Sequence, residues 1–508
     1  MTVLLDGTSL AVDDVVSVAR RYEEVEVGEH ARVKVEKCRE VLDELIKSAT
    51  IYGVNTGFGA LSNITISASQ LEELQLNLVR SHAAGVGDPL PIDVTRAMML
   101  LRANTLAKGL SGIRLSTLET LVRLINSRVH PIVPERGSVG ASGDLAPLAH
   151  LALVMIGEGS AEYRGRVMGG SEALRAASIS PVRLAAKEGL ALMNGTQMMT
   201  AIGALAVHDA KKLLWYAEKS GAISLEGLEG LSEAFDSRLH QARPHRGQIQ
   251  SARHMIQLLE GSRMIGSGEQ RIRRGLHRQD PYSLRCIPQV IGSAYDSVEY
   301  ASKVIQVEMN SANDNPLIFA EDREVISGGN FHGEPIAVVL DLLGISLATV
   351  GNLVERRIAR LLDPLLSGGL PPFLIPAGAG AGLSSGLMAC QYSAAALASE
   401  NKILAHPASV DSIPTSADFE DYVSMGPTAG LKLMRIIQNL RLIVAMELIC
   451  ACEAAEARGI ENLSKAGRET YGIVRQLVPK LQRDREISGD ISRVAQALRE
   501  ERLGINFS

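Results

Sequence analysis

The stretch "PIAVVLDLLGISLATVGNLV", residues 335–354, decides between two architectures. It is long and apolar enough to cross a bilayer, which takes about 20 residues. Yet it carries Asp341 and ends in "ERR" at 355–357. Ile336, Leu340, Leu343, Leu347, Val350 and Val354 follow a 4-3-4-3-4 spacing. That is a seam of roughly 3.5-residue period, suited to packing against other helices. Pro335 fits a first helical position, where its missing N–H loses no bond. The segment predicts a buried bundle helix, and no membrane association.

Outward from this helix the same signal recurs. Leu433, Ile437, Leu440, Val444 and Leu448 form a second seam. Residues 442–452 of that helix are apolar on nearly every side, so neighbours must enclose them. More helix is expected near 92–108, 115–128, 144–157, 197–219, 285–308 and 384–404. Strand signals are few: "AEYRGRVMGG" (161–170) and "PLIFAEDREVISGG" (316–329) read as short hairpins. Gly/Pro-rich joints fall at 368–382 and 406–416. The expected class is mainly α, a long helical bundle, with a mixed N-terminal part over 1–200 and a helical body over 201–508. The two long seams exceed what one subunit is expected to cover, which predicts a homo-oligomer, a tetramer.

Composition narrows the function classes. The charged fraction is 21 % and the net charge −5, so nothing calls for nucleic acid. The basic run "RIRRGLHR" (271–278) is short and lacks interleaved aromatics, so it reads as a solvated or interface face. Five cysteines, odd in number and without a CxxC pair, argue for a reducing, cytoplasmic compartment and against a zinc cage. The N-terminus lacks the basic region of a signal peptide. No HExxH pattern occurs, and no metal is expected. His150 and His208 lie in apolar helical runs and read as structural histidines.

The chemistry centres on "GSVGASGDLAPLAHLALVMIGEG", residues 137–159. A nucleophile elbow needs G-x-S-x-G, but Asp144 stands two residues after Ser142, so a serine hydrolase is disfavoured. One reading is a helix start, with Ser142 or Asp144 as cap and Pro147 in the first turn. Another uses the backbone itself. Attack of the Gly143 nitrogen on the Ala141 carbonyl closes a five-membered ring. Loss of water from the ring and from Ser142 leaves an exocyclic methylene, an electrophile no standard side chain supplies. Gly143 offers an unhindered nitrogen and the backbone freedom to bend inward. Both readings suit the residue types.

The segment also resembles the signature of the aromatic amino acid ammonia-lyase family. Seven further segments agree in order: "YGVNTGFG" (52–59), "SHAAGVGDPL" (81–90), "ALMNGTQ" (191–197), "QDPYSLRCIPQVIG" (279–292), "NDNPLIF" (313–319), "SGGNFHGEP" (327–335) and "ASENKILAHPASVDSIPTSADFEDYVSMG" (398–426). The resemblance implies a fumarase/aspartase-like helical architecture, although the Gly-Ser-Ser-x-Met-Pro loop of the fumarase-like enzymes is not seen. It implies a 5-methylidene-imidazol-4-one made from Ala141-Ser142-Gly143, no external cofactor, and active sites shared between subunits.

The implied reaction is elimination of ammonia from a small amino acid, L-histidine, giving trans-urocanate. Tyr52 is the implied base; on physical grounds alone a packed tyrosine beside a flexible, glycine-rich loop is the preferred reading. Arg285 is expected to hold the substrate carboxylate, as guanidinium geometry favours. Asn194, Gln279 and Tyr282 resemble the polar shell around electrophile and substrate, and Phe331 the ring packed beside them. His82, Met388 and Glu420 match members acting on histidine, because a carboxylate accepts an imidazole N–H and is poorly compensated beside phenyl. Those members read Asn-Gln-Glu-Asp-His, where this chain has Asp418-Phe419-Glu420-Asp421-Tyr422. Phenylalanine or tyrosine as substrate, an aminomutase on the same electrophile, and a non-catalytic scaffold are the alternatives.

Overall fold

The computed structural model describes residues 2–266, 269 and 278–504 of the 508-residue chain, so most of "RIRRGLHR" lies outside the described residues. The chain divides into two compact units, each discontinuous in sequence. The first comprises Met1–His208, Ala301–Asp341 and Pro407–Leu431. The second comprises Asp209–Tyr300, Leu342–His406 and Lys432–Ser508.

The first unit is mixed. Val3–Leu5 and Val25–Val27 pair in parallel, and Ser160–Tyr163 forms a hairpin with Arg166–Gly169. A second hairpin joins Leu317–Phe319 to Glu324–Ile326. The helix Ile92–Ala107 is buried from Val94 to its end, including Arg96 and Arg102. Apolar residues on all sides make such a helix the centre of a core. The helices Val12–Arg20 and Leu115–Asn126 pack on it. Beside them Leu71–His82, Leu145–Met155 and Glu188–Met193 pack mutually. Three conspicuous segments thereby end close together: the C-terminus at His82, the approach through Ala141-Ser142-Gly143, and the exit at Asn194.

Long helices, each with most of its residues in the second unit, carry the predicted seams. Glu334–Leu362 and Gly426–Arg458 contain them, and Gln197–Gly227 and Ile287–Met309 extend the helices expected near 197 and 285. The most apolar window of Glu334–Leu362 is 72 % buried, the position of a core helix. Pro335 is its second residue rather than its first, still within the turn that needs no donor. Arg357 and Glu447, both fully buried, form a two-pronged ion pair at 2.5 and 2.8 Å. Ser220 and Ser224 donate to the same carboxylate, which satisfies its remaining lone pairs. One expectation changes. Residues 443–452 are all buried within a single chain, so this apolar circumference needs no further subunit to cover it.

Candidate active site

The small residues before Leu145 are there because backbone crowds backbone. Gly143 adopts φ +70°, and a Cβ on it would stand 2.3 Å from the Gly195 oxygen. Gly195 is confined in turn: its Cβ would fall 2.4 Å from Gln197 Oε1 and 2.5 Å from Arg102 Nη1. The two glycines form a parallel bridge, and the Asp144 N–H donates to the Gly195 oxygen at 2.7 Å. Asn194 Nδ2 donates to the Ser142 carbonyl at 2.8 Å. Ser138 Oγ donates to the Gly143 carbonyl at 3.1 Å. The Ala-Ser-Gly backbone is thus held from the Asn194–Gly195 side and from its own entry loop.

Asp144 occupies the N-cap position of Leu145–Met155, but neither it nor Ser142 caps that helix. Its carboxyl accepts from the Met199 N–H at 3.0 Å and from Ser138 Oγ at 3.2 Å. The contact satisfies one of the free N–H groups at the start of Gln197–Gly227. Burial pushes this carboxyl up to about 7.

The Ser142 hydroxyl turns outward into a cleft of about 1150 Å³ in the first unit. Tyr52, His82, Ala141, Ser142, Gly143, Asn194, Phe331 and Glu420 all line it. Ser142 Oγ donates to Glu420 Oε1 at 2.6 Å, and Thr415 Oγ1 donates to Glu420 Oε2 at 2.7 Å. Glu420 is held by a backbone bridge to Thr415 across a turn in which Ser416, Ala417 and Asp418 all have positive φ. Phe419 also lines the cleft, and it does not turn the Glu420 carboxylate away from Ser142.

Tyr52 accepts the Gly59 N–H at its phenol oxygen, 3.2 Å away, so its glycine loop folds back onto it. His82 Nδ1 lies 2.9 Å from the Leu78 carbonyl, an acceptor that requires a proton on Nδ1. His332, which the sequence reading did not single out, stacks on Tyr422 at 5.9 Å on the same cleft. Outside it, His150 Nε2 accepts the Gly85 N–H, the satisfied structural role expected of it.

Gln279, Tyr282, Arg285 and Met388 do not line this cleft and belong to the second unit. Tyr282 is 69 % exposed, with the Arg285 guanidinium 4.7 Å above its ring. Arg285 Nε is buried without a hydrogen-bond partner. Met388 opens the helix Met388–Leu404.

The residues around Ala141-Ser142-Gly143 suit an internally formed ring. The attacking residue lacks a Cβ, the future ring oxygen has a donor in Asn194, and the departing hydroxyl faces open space beside Glu420.

Comparison with known proteins shows the family and the fold. The profile of the family described as aromatic amino acid lyase matches residues 10–476. A histidine ammonia-lyase of Alkaliphilus oremlandii (strain OhILAs) is 51 % identical over 98 % of this chain and 96 % of its own. Among solved structures, tyrosine aminomutase from Streptomyces globisporus is similar with a TM-score of 0.95 and 40 % identity, covering 99 % of this chain and 98 % of that one. Histidine ammonia-lyase from Trypanosoma cruzi is similar with a TM-score of 0.91 and 40 % identity, covering 99 % and 94 %.

Proposed function

Because the chain belongs to the aromatic amino acid lyase family, we propose that it eliminates ammonia from L-histidine and releases trans-urocanate. The observation that carries the substrate is the Glu420 carboxylate beside Ser142, an acceptor suited to an imidazole N–H.

Ala141-Ser142-Gly143 is the precursor of the methylidene-imidazolone. The Gly143 nitrogen bonds to the Ala141 carbonyl carbon, and its proton passes to the Ala141 oxygen. That hydroxyl leaves with the Ser142 amide proton as the first water. Ser142 Oγ–H leaves with the Ser142 Cα proton as the second. The finished group supplies an electrophilic carbon that helps a poor leaving group depart.

The side chains around it bind and move protons. Asn194 donates to the Ser142 oxygen and stabilises charge there. Tyr52 takes the substrate β-proton. Glu420 orients the imidazole, with His82 beside it on the cleft, and Phe331 packs near the reacting group. Tyr282, Arg285, Gln279 and Met388 complete the site of another copy in a homotetramer. The unpartnered Arg285 Nε and the exposed Tyr282 suit that role, with Arg285 gripping the substrate carboxylate. Five free cysteines, four of them buried thiols, fit a reducing, cytoplasmic setting.

A second reading rests on the 0.95 TM-score to a tyrosine aminomutase, together with Phe419 and Tyr422 in the cleft. The test is product analysis on histidine, phenylalanine and tyrosine side by side. Urocanate from histidine as the fastest reaction is expected. A β-amino acid, or faster release of an aryl acrylate, overturns the proposal.

A further inference from the structure

A buried arginine that no step above uses lies against the Asn194–Gly195 segment. Arg102 belongs to the helix Ile92–Ala107 and is fully buried. Its Nη1 donates to the Asn194 carbonyl at 2.7 Å and to Gln197 Oε1 at 3.0 Å. Its Nε and Nη2 are buried without hydrogen-bond partners. The carboxylate of Asp314 is engaged instead by the buried Lys187 at 2.8 Å. Burial pulls the Arg102 guanidinium down to about 10, which leaves it a cation at neutral pH.

A buried cation resting on carbonyl and amide oxygens is a costly way to fill a helix position. The preceding residues, Met98, Met99, Leu100 and Leu101, fill theirs with apolar side chains. What the guanidinium does beyond packing is to fix one peptide. Nη1 stands where a Gly195 Cβ would be 2.5 Å away, so cation and backbone are in close contact. The two residues that this peptide joins make the contacts: the Gly195 oxygen accepts the Asp144 N–H, and Asn194 Nδ2 donates to the Ser142 oxygen. The two contacts made from the Asn194–Gly195 side therefore flank the peptide whose carbonyl Arg102 holds.

We propose that Arg102 is a positioning residue for ring closure, clamping Asn194–Gly195 so that Ala141-Ser142-Gly143 is pressed into the cyclising geometry. This rests on the reading that the chain forms its electrophile from those three residues. With the clamp gone, the Asn194–Gly195 peptide can rotate and the donor to the Ser142 oxygen drifts. Cyclisation then slows, while the cleft that binds substrate keeps its lining.

The experiment follows intact mass with time after a synthesis pulse, in the native chain and in Arg102→Met, Arg102→Lys, Asn194→Ala and the Arg102→Lys/Asn194→Ala pair. Native protein should lose two waters, about 36 Da. Arg102→Met should do so at least about tenfold more slowly, and Arg102→Lys at an intermediate rate. Because the effect runs through Asn194, Arg102→Lys should add little to Asn194→Ala. If Arg102→Met does not fold, the folded Arg102→Lys chain carries the test. Native-rate loss of two waters in a folded Arg102 variant overturns the inference, as do fully additive effects in the pair. Native protein that keeps its full encoded mass instead overturns the underlying proposal of the electrophile.

Discussion

Replacing Glu420 by leucine tests the substrate assignment most directly. Its two carboxylate oxygens have one hydroxyl partner each, Ser142 and Thr415. Ring formation removes the Ser142 oxygen and so frees Oε1, the oxygen that faces the reacting group. A substrate N–H taking that place makes a hydrogen bond to a charged acceptor, worth roughly 1.5–3 kcal/mol. Leaving the freed oxygen unpaired beside a phenyl ring costs a comparable amount. Each 1.36 kcal/mol is a factor of ten, so Glu420→Leu should lower kcat/KM for histidine roughly tenfold to a hundredfold. The ratio of histidine to phenylalanine should fall by at least as much, because the apolar replacement removes the penalty for phenyl. Part of the loss should appear in kcat, since a misplaced ring also misplaces the β-proton before Tyr52. The assay is kcat/KM for both amino acids in native and Glu420→Leu enzyme, each first checked by mass for ring formation. An unchanged ratio, or a native preference for phenylalanine, would refute the assignment.

Ser142→Ala should leave the fold intact, retain one water that the native protein loses, and abolish nearly all turnover; mass spectrometry and circular dichroism check this. Light scattering of active enzyme should report a tetramer, because Leu365 and Leu383 are 90 % and 91 % exposed on a single chain and need cover; a monomeric mass would count against shared sites. Asp144 supplies a pH signature. Its carboxyl sits at about 7 in the folded chain against a model-peptide value of 3.8. The folded state therefore holds this proton more tightly than the unfolded one. That contribution to stability is complete below the unfolded value and is lost as pH rises through about 7. Asp144→Asn keeps an acceptor for Met199 and does not titrate. The stability of native relative to variant protein should thus decline between about pH 4 and 7 in denaturant titrations.

Periodicity made the helices legible. Glu334–Leu362 and Gly426–Arg458 carry the seams read from the sequence, and both expected hairpins formed. Such patterns are local, and they report which face of an element is buried. The tertiary contacts that hold the Ala-Ser-Gly segment are not local. Asn194 meets Ser142 across 52 residues, Ser142 meets Glu420 across 278, and no spacing rule spans such gaps. Only resemblance nominated Tyr52, His82, Phe331 and Glu420 together, and all four line one cleft. Glu420 hangs from a turn of consecutive positive-φ residues, Ser416 to Asp418, none of them glycine. Turn chemistry gives little warning of that conformation. Asp144 was readable as a cap, but which helix it serves depends on packing. Arg102 did leave a trace, a lone cation in the apolar run "MMLLRANTLA" at 98–107. In a helix buried on every side, such a residue marks a polar contact that the helix alone cannot satisfy.

The hydrogen bond from Ser142 to Glu420 also sets a direction in time. Under the proposed ring formation its donor exists only in the newly made chain, and the reaction that the fold brings about destroys it. The folded arrangement is therefore a template used once. A mature molecule that unfolds is a different covalent polymer, with a rigid ring at 141–143 and no hydroxyl to offer Glu420. Refolding the active enzyme retraces a path that the nascent chain never took, so its measured stability belongs to the product of maturation. The stability that governs whether an electrophile forms at all belongs to the precursor, which still has the Ser142 hydroxyl on Glu420.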